Sequence, residues 1–564
     1  MDASHSTPLA LEPERSRLTY SYDMESGWRR WRLLRPGWGM YHDVKRRMPF
    51  YWSDITDAFT YRTVASTIRM YFVNLLPAIA YTLDMYRRTG EFYGINESLF
   101  SSALAAIVFS LLGAQPLTIV GVTGLISLFN YTIYDILQRY DSSIYPAFMA
   151  WTGIWAAIFH WLVAIFNACD YMRYVTDFSS ESFGLYVGII YLIKGVEELV
   201  YEFARGLEAG YLACLIAILY FGTVYSLKRT GSSTMWKEPL RGVLADYAYV
   251  FSTIFWVGFS HIPGRLREAN IGRVPTTRAF FPTQNRGWLI EFWNLETKWV
   301  FAAMPLGFLF MLLFYYDHNV SSITAQARRF PLKKPGGFHW DFFLLGCTTF
   351  VAAILGLPMP NGLVPQAPVH TDSLAVYKTD LKIVSTSEGE GTEIRRPLVT
   401  AVAVVEQRIS HLLMGLALIG TMTGPLLVVL HTMPSALFAG VFFVVGWGSI
   451  ESNGILQKLM YLQREQRFVQ RDESLLLVRR RKIILYTGLQ IFGVAACVVI
   501  SHTLAAIGFP VLIILLIPLR ILLVPKWFTP KELQVLDEFT ATNKTVLASL
   551  GGKPALPEDY KPEE

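Results

Sequence analysis

The run Gly113-Ala-Gln-Pro-Leu-Thr-Ile-Val-Gly-Val-Thr-Gly124 is apolar enough for a membrane interior but too interrupted by Pro and Gly to make one straight helix. It follows two clear apolar spans, Val64–Leu83 and Leu99–Gly113, and opens the short segment Pro116–Asn130. A second run of the same kind, Pro358-Met-Pro-Asn-Gly-Leu-Val-Pro-Gln-Ala-Pro368, opens the segment Pro358–Tyr377 and also follows two clear spans, counted from Val300. Broken segments at matching positions of two halves point to an inverted-repeat transporter and to its binding site. A pair of kinked helices is the blander alternative, since Pro and Gly are tolerated in membrane helices. The matching order in both halves favours the transporter.

Outward from these runs lie the other spans of about 20 mostly apolar residues that a helix needs to cross hydrocarbon. They are Ala147–Phe166, Phe183–Val200, Ala209–Leu227, Val243–His261, Val300–Tyr316, Phe342–Leu357, Ile409–Leu430, Ser435–Ile450, Ile483–Ser501 and Leu504–Val524. With the first two, that makes twelve clear spans and two broken ones. The expected fold is an all-α polytopic membrane protein with fourteen transmembrane segments in a 7+7 inverted repeat containing two half-helices. A cytoplasmic segment 1–50, a transporter domain 51–525 and a cytoplasmic tail 526–564 complete the expected organisation. Composition agrees: 52% of the 564 residues are hydrophobic and 17% charged, against about 25% charged in soluble domains. Disorder is excluded by that apolarity. Four cysteines without CxxC spacing, Cys169, Cys214, Cys347 and Cys497, exclude a disulfide scaffold. Met1 to Leu18 hold no continuous apolar stretch, so no cleavable signal peptide is expected.

Charge placement sets the orientation. Trp28-Arg29-Arg30-Trp31-Arg32 and Lys45-Arg46-Arg47 suit a juxtamembrane segment on anionic lipid better than a nucleic-acid patch, because a span follows shortly. With a cytoplasmic N-terminus, the basic loops Lys228–Arg241, Arg328–Lys334 and Lys458–Lys482 all fall inside, the last as an expected amphipathic surface helix. The loop Ile262–Glu296 conflicts: it falls outside yet carries Arg265, Arg267, Arg273, Arg278 and Arg286. Pairing with Glu268, Glu291 and Glu296 is the expected relief. Asn96 stands as an open question for glycosylation.

Ionisable residues inside spans are functional candidates because their burial is costly. Asp317, in Phe314-Tyr-Tyr-Asp-His-Asn-Val-Ser-Ser322, is the sharpest, and its polar neighbours suggest a cavity rather than a helix end. Lys194, Glu197 and Glu198 are explained by pairing one helical turn apart. His160, Arg69 and His411 suit packing better than ligation. There is no metal spacing, no Walker loop, no GxGxxG and no supported nucleophile–base set, so neither an enzyme nor a cofactor is expected.

The half-helix starts carry the chemistry. A helix N-terminus exposes unpaired N–H groups and about half a positive charge. Two such ends at one spot make an anion site without a buried cation. Gly121, Val122, Thr123 and Gly124 at one start, Asn361 and Gln366 at the other, and Asp317 nearby are the candidate substrate-binding residues. Such a site is neutral and suited to hydroxyl groups. Asp317 repels a bare anion unless it is protonated or accepts hydrogen bonds from a hydroxylated substrate.

Several strings resemble the anion-exchanger (bicarbonate transporter) family: Tyr51-Trp-Ser-Asp-Ile-Thr-Asp-Ala-Phe59, Leu111-Leu-Gly-Ala-Gln-Pro-Leu117, Val404-Val-Glu-Gln-Arg-Ile-Ser410, Tyr486-Thr-Gly-Leu-Gln-Ile491 and Ile517-Pro-Leu-Arg520. Tyr71-Phe-Val-Asn-Leu-Leu-Pro-Ala-Ile-Ala80, Phe314-Tyr-Tyr-Asp-His-Asn-Val320 and Pro358–Gln366 running into His370-Thr-Asp-Ser-Leu374 are similar to its borate-transporter branch of plants and fungi. The resemblance implies a homodimer and a core of segments one to four and eight to eleven moving against a gate built from the rest. It also implies substrate bound between the third and tenth segments. Gln366 stands where the chloride–bicarbonate exchangers carry arginine, and Asp317 where they carry glutamate. The loss of that cation suits a weak hydroxylated acid. The expected function is borate or boric acid export, conferring boron tolerance, at the plasma membrane with the vacuolar membrane as a second location. Bicarbonate–chloride exchange is the alternative. The expected partners are the substrate, membrane lipid and a second copy of the chain, with no nucleic acid. A pure membrane anchor has no need of two broken helices.

Overall fold

The computed structural model describes residues 31–551 except 234–235, 276, 328, 385–393, 466, 468, 470–472 and 542–543. Trp28, Arg29 and Arg30 of the basic aromatic run, Arg328, and residues 552–564 of the tail lie outside the described residues.

Apolar runs without water to satisfy their backbone must become helices. The main ones are α1 (Tyr61–Arg88), α2 (Ile95–Leu112), α3 (Gly124–Leu137), α4 (Tyr145–Ile165), α5 (Asp177–Phe203), α6 (Leu207–Gly231), α7 (Ala248–Ser260), α8 (Thr297–Ala325), α9 (Phe338–Ile354), α10 (Gln366–Leu374), α11 (Ile409–Thr421), α12 (Ser435–Glu451), α13 (Arg480–Ser501) and α14 (Phe509–Leu522). Among the described residues, seven helices are long and apolar enough to cross a membrane, or ten if each of three sharply bent pairs is one span. α5 is not among them; it carries Lys194, Glu197, Glu198 and Glu202.

Sequence and structure part in several places. The expected single span Ile409–Leu430 is α11 followed, after an 83° bend, by Gly424–His431. Thr423 precedes Gly424-Pro425, and the proline favours a fresh helix start over continuation. The span Val243–His261 is likewise bent, by 60°, where helix Pro239–Asp246 meets α7. The all-α expectation needs correcting too. Strands β1 (Val120–Gly121) and β2 (Asn361–Gly362) pair antiparallel, and β3 (Ala375–Val384) and β4 (Ile394–Val404) form an antiparallel hairpin. The segment Pro358–Tyr377 therefore ends as a strand, with only nine residues of helix inside it. The basic stretch Lys458–Lys482 is not one surface helix. Helix Gly454–Gln463 and a 3-10 turn at Ser474–Leu477 break it up.

One arginine of the loop between α7 and α8 is paired differently from expectation. Arg286 lies 3.7 Å from Glu97 on α2 and donates to the carbonyls of Gly287 and Gly356 at 3.0 Å each. Glu291 and Glu296 hold Asn294 and Lys298 instead. Asn96 is fully buried, and its amide donates to the carbonyls of Arg278 (2.7 Å) and Phe281 (2.8 Å). The folded chain thus offers Asn96 no room for a glycan.

Helix packing falls into two groups. α4 packs on α8 and α9, and α11 packs on α1 and α2. α12 packs on α5 and α6, and α13 on α5. α1 also touches α12, so the groups meet along α1. Polar hubs tie the loops of the first group. Asp54 takes Arg47 (2.6 Å), Arg408 (2.9 Å) and Lys334 (3.0 Å) in one buried cluster. Burial pushes the nearby Glu406 carboxyl up, an effect opposed by its bonds from the Lys333 and Lys334 N–H groups. Asp43, on the amphipathic helix Trp38–Arg47, accepts the N–H of His339 at 2.9 Å and the hydroxyl of Ser549 at 2.7 Å. The Ser549 oxygen in turn accepts the Phe338 N–H at 3.0 Å. The two ends of the described chain thus meet at the start of α9, where a carboxylate complements the helix dipole.

Candidate functional site

The β1–β2 pair joins the two broken segments directly. Val120 stands opposite Gly362 and Gly121 opposite Asn361. Non-helical backbone at membrane depth must be satisfied within the protein, and this two-residue ladder does it, extended by the Leu363 N–H donating to Ile119 at 2.9 Å. α3 and α10 leave the ladder close behind it, so both helix starts sit at one place.

Each start is built differently. At α3, Thr123 is the N-cap, its hydroxyl oxygen accepting the Ile126 N–H at 3.4 Å. The Val122 N–H donates to Ser102 on α2 at 3.2 Å. Upstream, Asp341 accepts the N–H groups of Ala114 (2.6 Å) and Gln115 (3.0 Å). Arg408 closes the end of α2 through the Gly113 carbonyl at 2.7 Å. At α10, Pro365 is the N-cap and supplies no side-chain bond. Gln366 is buried, and its amide oxygen has no hydrogen-bond partner among the described residues.

Asp317 lies on α8, which runs on to Ala325, so it does not mark a helix end. It is 3% exposed. Asn361 donates its side-chain N–H to Asp317 Oδ2 at 2.8 Å, and Asn361 Oδ1 accepts the Gly362 N–H at 2.8 Å. Asp317 makes no ion pair among the described residues. β2 presses on α8 so closely that a Cβ on Gly362 would lie 2.8 Å from the His318 Cα. Backbone there cannot yield, so this position requires glycine.

The structure brings together Gly121, Val122, Thr123, Gly124, Asn361, Asp317 and Gln366 around one ladder. It also adds residues that sequence reasoning missed. A Cβ on Gly121 would sit 3.1 Å from Asn74 Oδ1, and one on Gly124 would sit 2.6 Å from Tyr81 Cε1. Asn74 and Tyr81, both on α1, therefore wall the first start. The oxygen of Asn74 has no hydrogen-bond partner among the described residues. Asn74 carried a signal, as a lone amide in an apolar span; Tyr81 carried none.

The remaining candidates are placed by other contacts. His160 stacks on Phe342 at 4.7 Å, Arg69 pairs with Asp246 at 3.3 Å, and the His411 ring stands 6.3 Å from His370. Lys194 pairs with Glu197 (2.7 Å), as one-turn spacing predicts, and also with Asp84 on α1 (3.1 Å). Glu198 departs from that expectation and bonds Arg87 of α1 at 3.2 Å. Among the described residues, no three His, Cys, Asp or Glu side chains gather as metal ligands.

A helical membrane protein whose two half-helix starts meet in a buried polar spot has the construction of a membrane transporter. The family described as the HCO3- transporter integral membrane domain matches residues 35–207 and 207–541, and the chain belongs to that family. It is a family of transporters, and the chain is a transporter rather than an enzyme. The chain is 39% identical over 520 residues to Boron transporter 1 of Saccharomyces cerevisiae, covering 90% of this chain and 87% of that protein. It is 27% identical over 523 residues to the Band 3 anion transport protein of Rattus norvegicus, covering 88% of this chain and 55% of that one. Among solved structures, the murine Solute Carrier 26 family member A9 anion transporter aligns with a TM-score of 0.53 at 12% identity, covering 83% of this chain and 69% of that one. That likeness bears on the fold alone.

Proposed function

We propose that the protein exports boron as tetrahydroxyborate or boric acid, bound at the meeting point of α3 and α10. The observation that carries this reading is the Asp317–Asn361 pair set beside the unpartnered Gln366 oxygen, with no ion pair at Asp317 among the described residues. Boric acid and its hydroxide adduct present only O–H groups. These can donate to Asp317 and Gln366 and accept from the N–H groups of the two helix starts. A site of this kind has no full positive charge with which to hold chloride. The 39% identity to a boron transporter supports the same substrate.

In this reading the fourteen segments form a 7+7 repeat, and the two packing groups are a core and a gate that move past each other in an elevator-like exchange. The basic loops lie in the cytoplasm, which puts the α1 end at Arg88 outside. The protein works as a homodimer, at the plasma membrane with the vacuolar membrane as a second location, and confers boron tolerance. The test is growth on graded boric acid with and without the gene, paired with boron efflux from vesicles. Lower tolerance and lost efflux without the protein are expected; unchanged tolerance and efflux would overturn the assignment. The second reading, bicarbonate–chloride exchange, is favoured by the identity to Band 3. Rapid chloride flux that boric acid neither accompanies nor inhibits would establish it.

A further inference from the structure

A cavity of about 560 Å³ opens between α1 and α5, with Asp84, Arg87, Lys194, Glu198 and Phe442 in its lining. A second, of about 270 Å³, shares Arg88, Lys194 and Glu197 with it and reaches Leu128 and Tyr131 on α3. The charges in this vestibule pair with each other, Lys194 with Asp84 at 3.1 Å and Arg87 with Glu198 at 3.2 Å. Phe442, on α12, is the apolar part of its floor.

Phe442 is one of three packed rings. Its centroid is 5.2 Å from that of Tyr81 and 6.4 Å from that of Tyr191, and the two tyrosines are 5.5 Å apart. On the far side of Phe442, Tyr81 lies against Gly124, the first residue of α3, where an added Cβ would meet it at 2.6 Å. Both tyrosines are within electrostatic reach of Asp317. The three rings thus stand between a wet, charged vestibule and the half-helix start. They come from both packing groups, Tyr81 from α1 and the other two from α5 and α12, so sliding of one group on the other parts them.

The Tyr81 hydroxyl is fully buried and, apart from its neighbour Tyr191, has no hydrogen-bond partner among the described residues. A buried phenol both donates and accepts, one neighbour meets only one of these, and leaving the other unmet is costly. Here a hydroxylated ligand at the start of α3 meets it. We infer that Tyr81 is the outer wall of the substrate site, its hydroxyl bonding the substrate and its ring, clamped by Tyr191 and Phe442, sealing that substrate from the vestibule. This rests on the proposed placement of substrate at the half-helix starts.

The seal and the hydroxyl are tested separately in full-length protein reconstituted in vesicles. For the seal, Thr123→Cys is introduced with the four native cysteines replaced, and a membrane-impermeant methanethiosulfonate is added on the Arg88 side. Phe442→Ala should speed labelling about tenfold, as removal of a large packed ring lowers the opening barrier. If Phe442→Ala fails to reach the membrane, Phe442→Leu is measured in its place. For the hydroxyl, Tyr81→Phe should leave labelling unchanged and raise the KM for boric acid about five- to tenfold, the loss of one neutral hydrogen bond. Unaltered labelling in the Phe442 variants overturns the seal, and unaltered KM in Tyr81→Phe overturns the hydroxyl role. A wild-type protein that moves no boron, while Phe442→Ala still speeds labelling, overturns the borate reading and supports the seal.

Discussion

The two helix starts at the ladder each follow a pair of helices, yet one is capped by a side chain and the other is not. The α3 start has a side-chain cap from Thr123, a bond from the Val122 N–H to Ser102, and Asp341 holding the turn before it. The α10 start follows Pro365 without a side-chain cap, keeps an unpaired amide oxygen on Gln366, and leans on α8 through Asn361 and Asp317. The difference teaches that matching sequence order does not impose matching roles. At the first start the side-chain bonds are spent internally, and in the proposed reading it offers the substrate backbone N–H groups. The second keeps a buried side-chain oxygen on Gln366, which in the proposed reading meets the substrate.

Substitutions can break or sharpen that contrast. The largest effect is expected at the ladder that joins the two starts. Gly362→Val places side-chain atoms against the α8 backbone and should abolish recovery of folded protein, read by size-exclusion chromatography of detergent extracts. Normal recovery would show that the starts are less tightly joined. Next comes Asp317→Asn, which should insert normally and lower boron efflux about 100-fold, the upper range for a lost hydrogen bond to a charged group. Undiminished efflux from correctly inserted protein would remove Asp317 from the site. Gln366→Arg should lower boron efflux about tenfold by adding a charge in a low-dielectric site. Chloride flux should appear only if the new cation leaves Asp317 unpaired, so paired boron and chloride measurements decide. The smallest effect belongs to the capped start. Thr123→Ala loses a cap worth about 1 kcal/mol and should lower thermal stability measurably while KM for boric acid stays within about twofold of wild type. A KM change larger than that of Gln366→Arg would reverse the assignment of roles.

The sequence made much of this legible, for physical reasons. Pro116, Gly121 and Gly124, like Pro358, Pro360 and Gly362, interrupt apolar runs, and interruption inside hydrocarbon is visible without coordinates. Asp317 was legible for the same reason, as a charge where charges are expensive. The β1–β2 ladder was not, because two residues of strand leave no periodicity to detect. The glycines were legible as close approaches, but not what they approach: Gly121 faces Asn74, and Gly124 faces Tyr81, not the substrate alone. Glu198 was misplaced because i,i+4 spacing describes one helix, whereas its partner Arg87 belongs to another. The β3–β4 hairpin had no counterpart in the clear spans either: its first three residues fall in the broken segment Pro358–Tyr377 and the rest lies between spans.

The clamp at the start of α9 has a consequence for how the chain is made. Asp43 and Ser549 are 506 positions apart. At about 5–20 residues per second of synthesis, the carboxylate waits roughly half a minute to two minutes for that partner. Throughout that time every membrane helix is inserted before the closing bond exists. The contact therefore forms late: Asp43 can take the His339 N–H once α9 is made, but the Ser549 bond waits for nearly the whole described chain. Truncation just short of Ser549 would keep the Asp43 bond to His339 but remove the hydroxyl that links Asp43 to the Phe338 N–H.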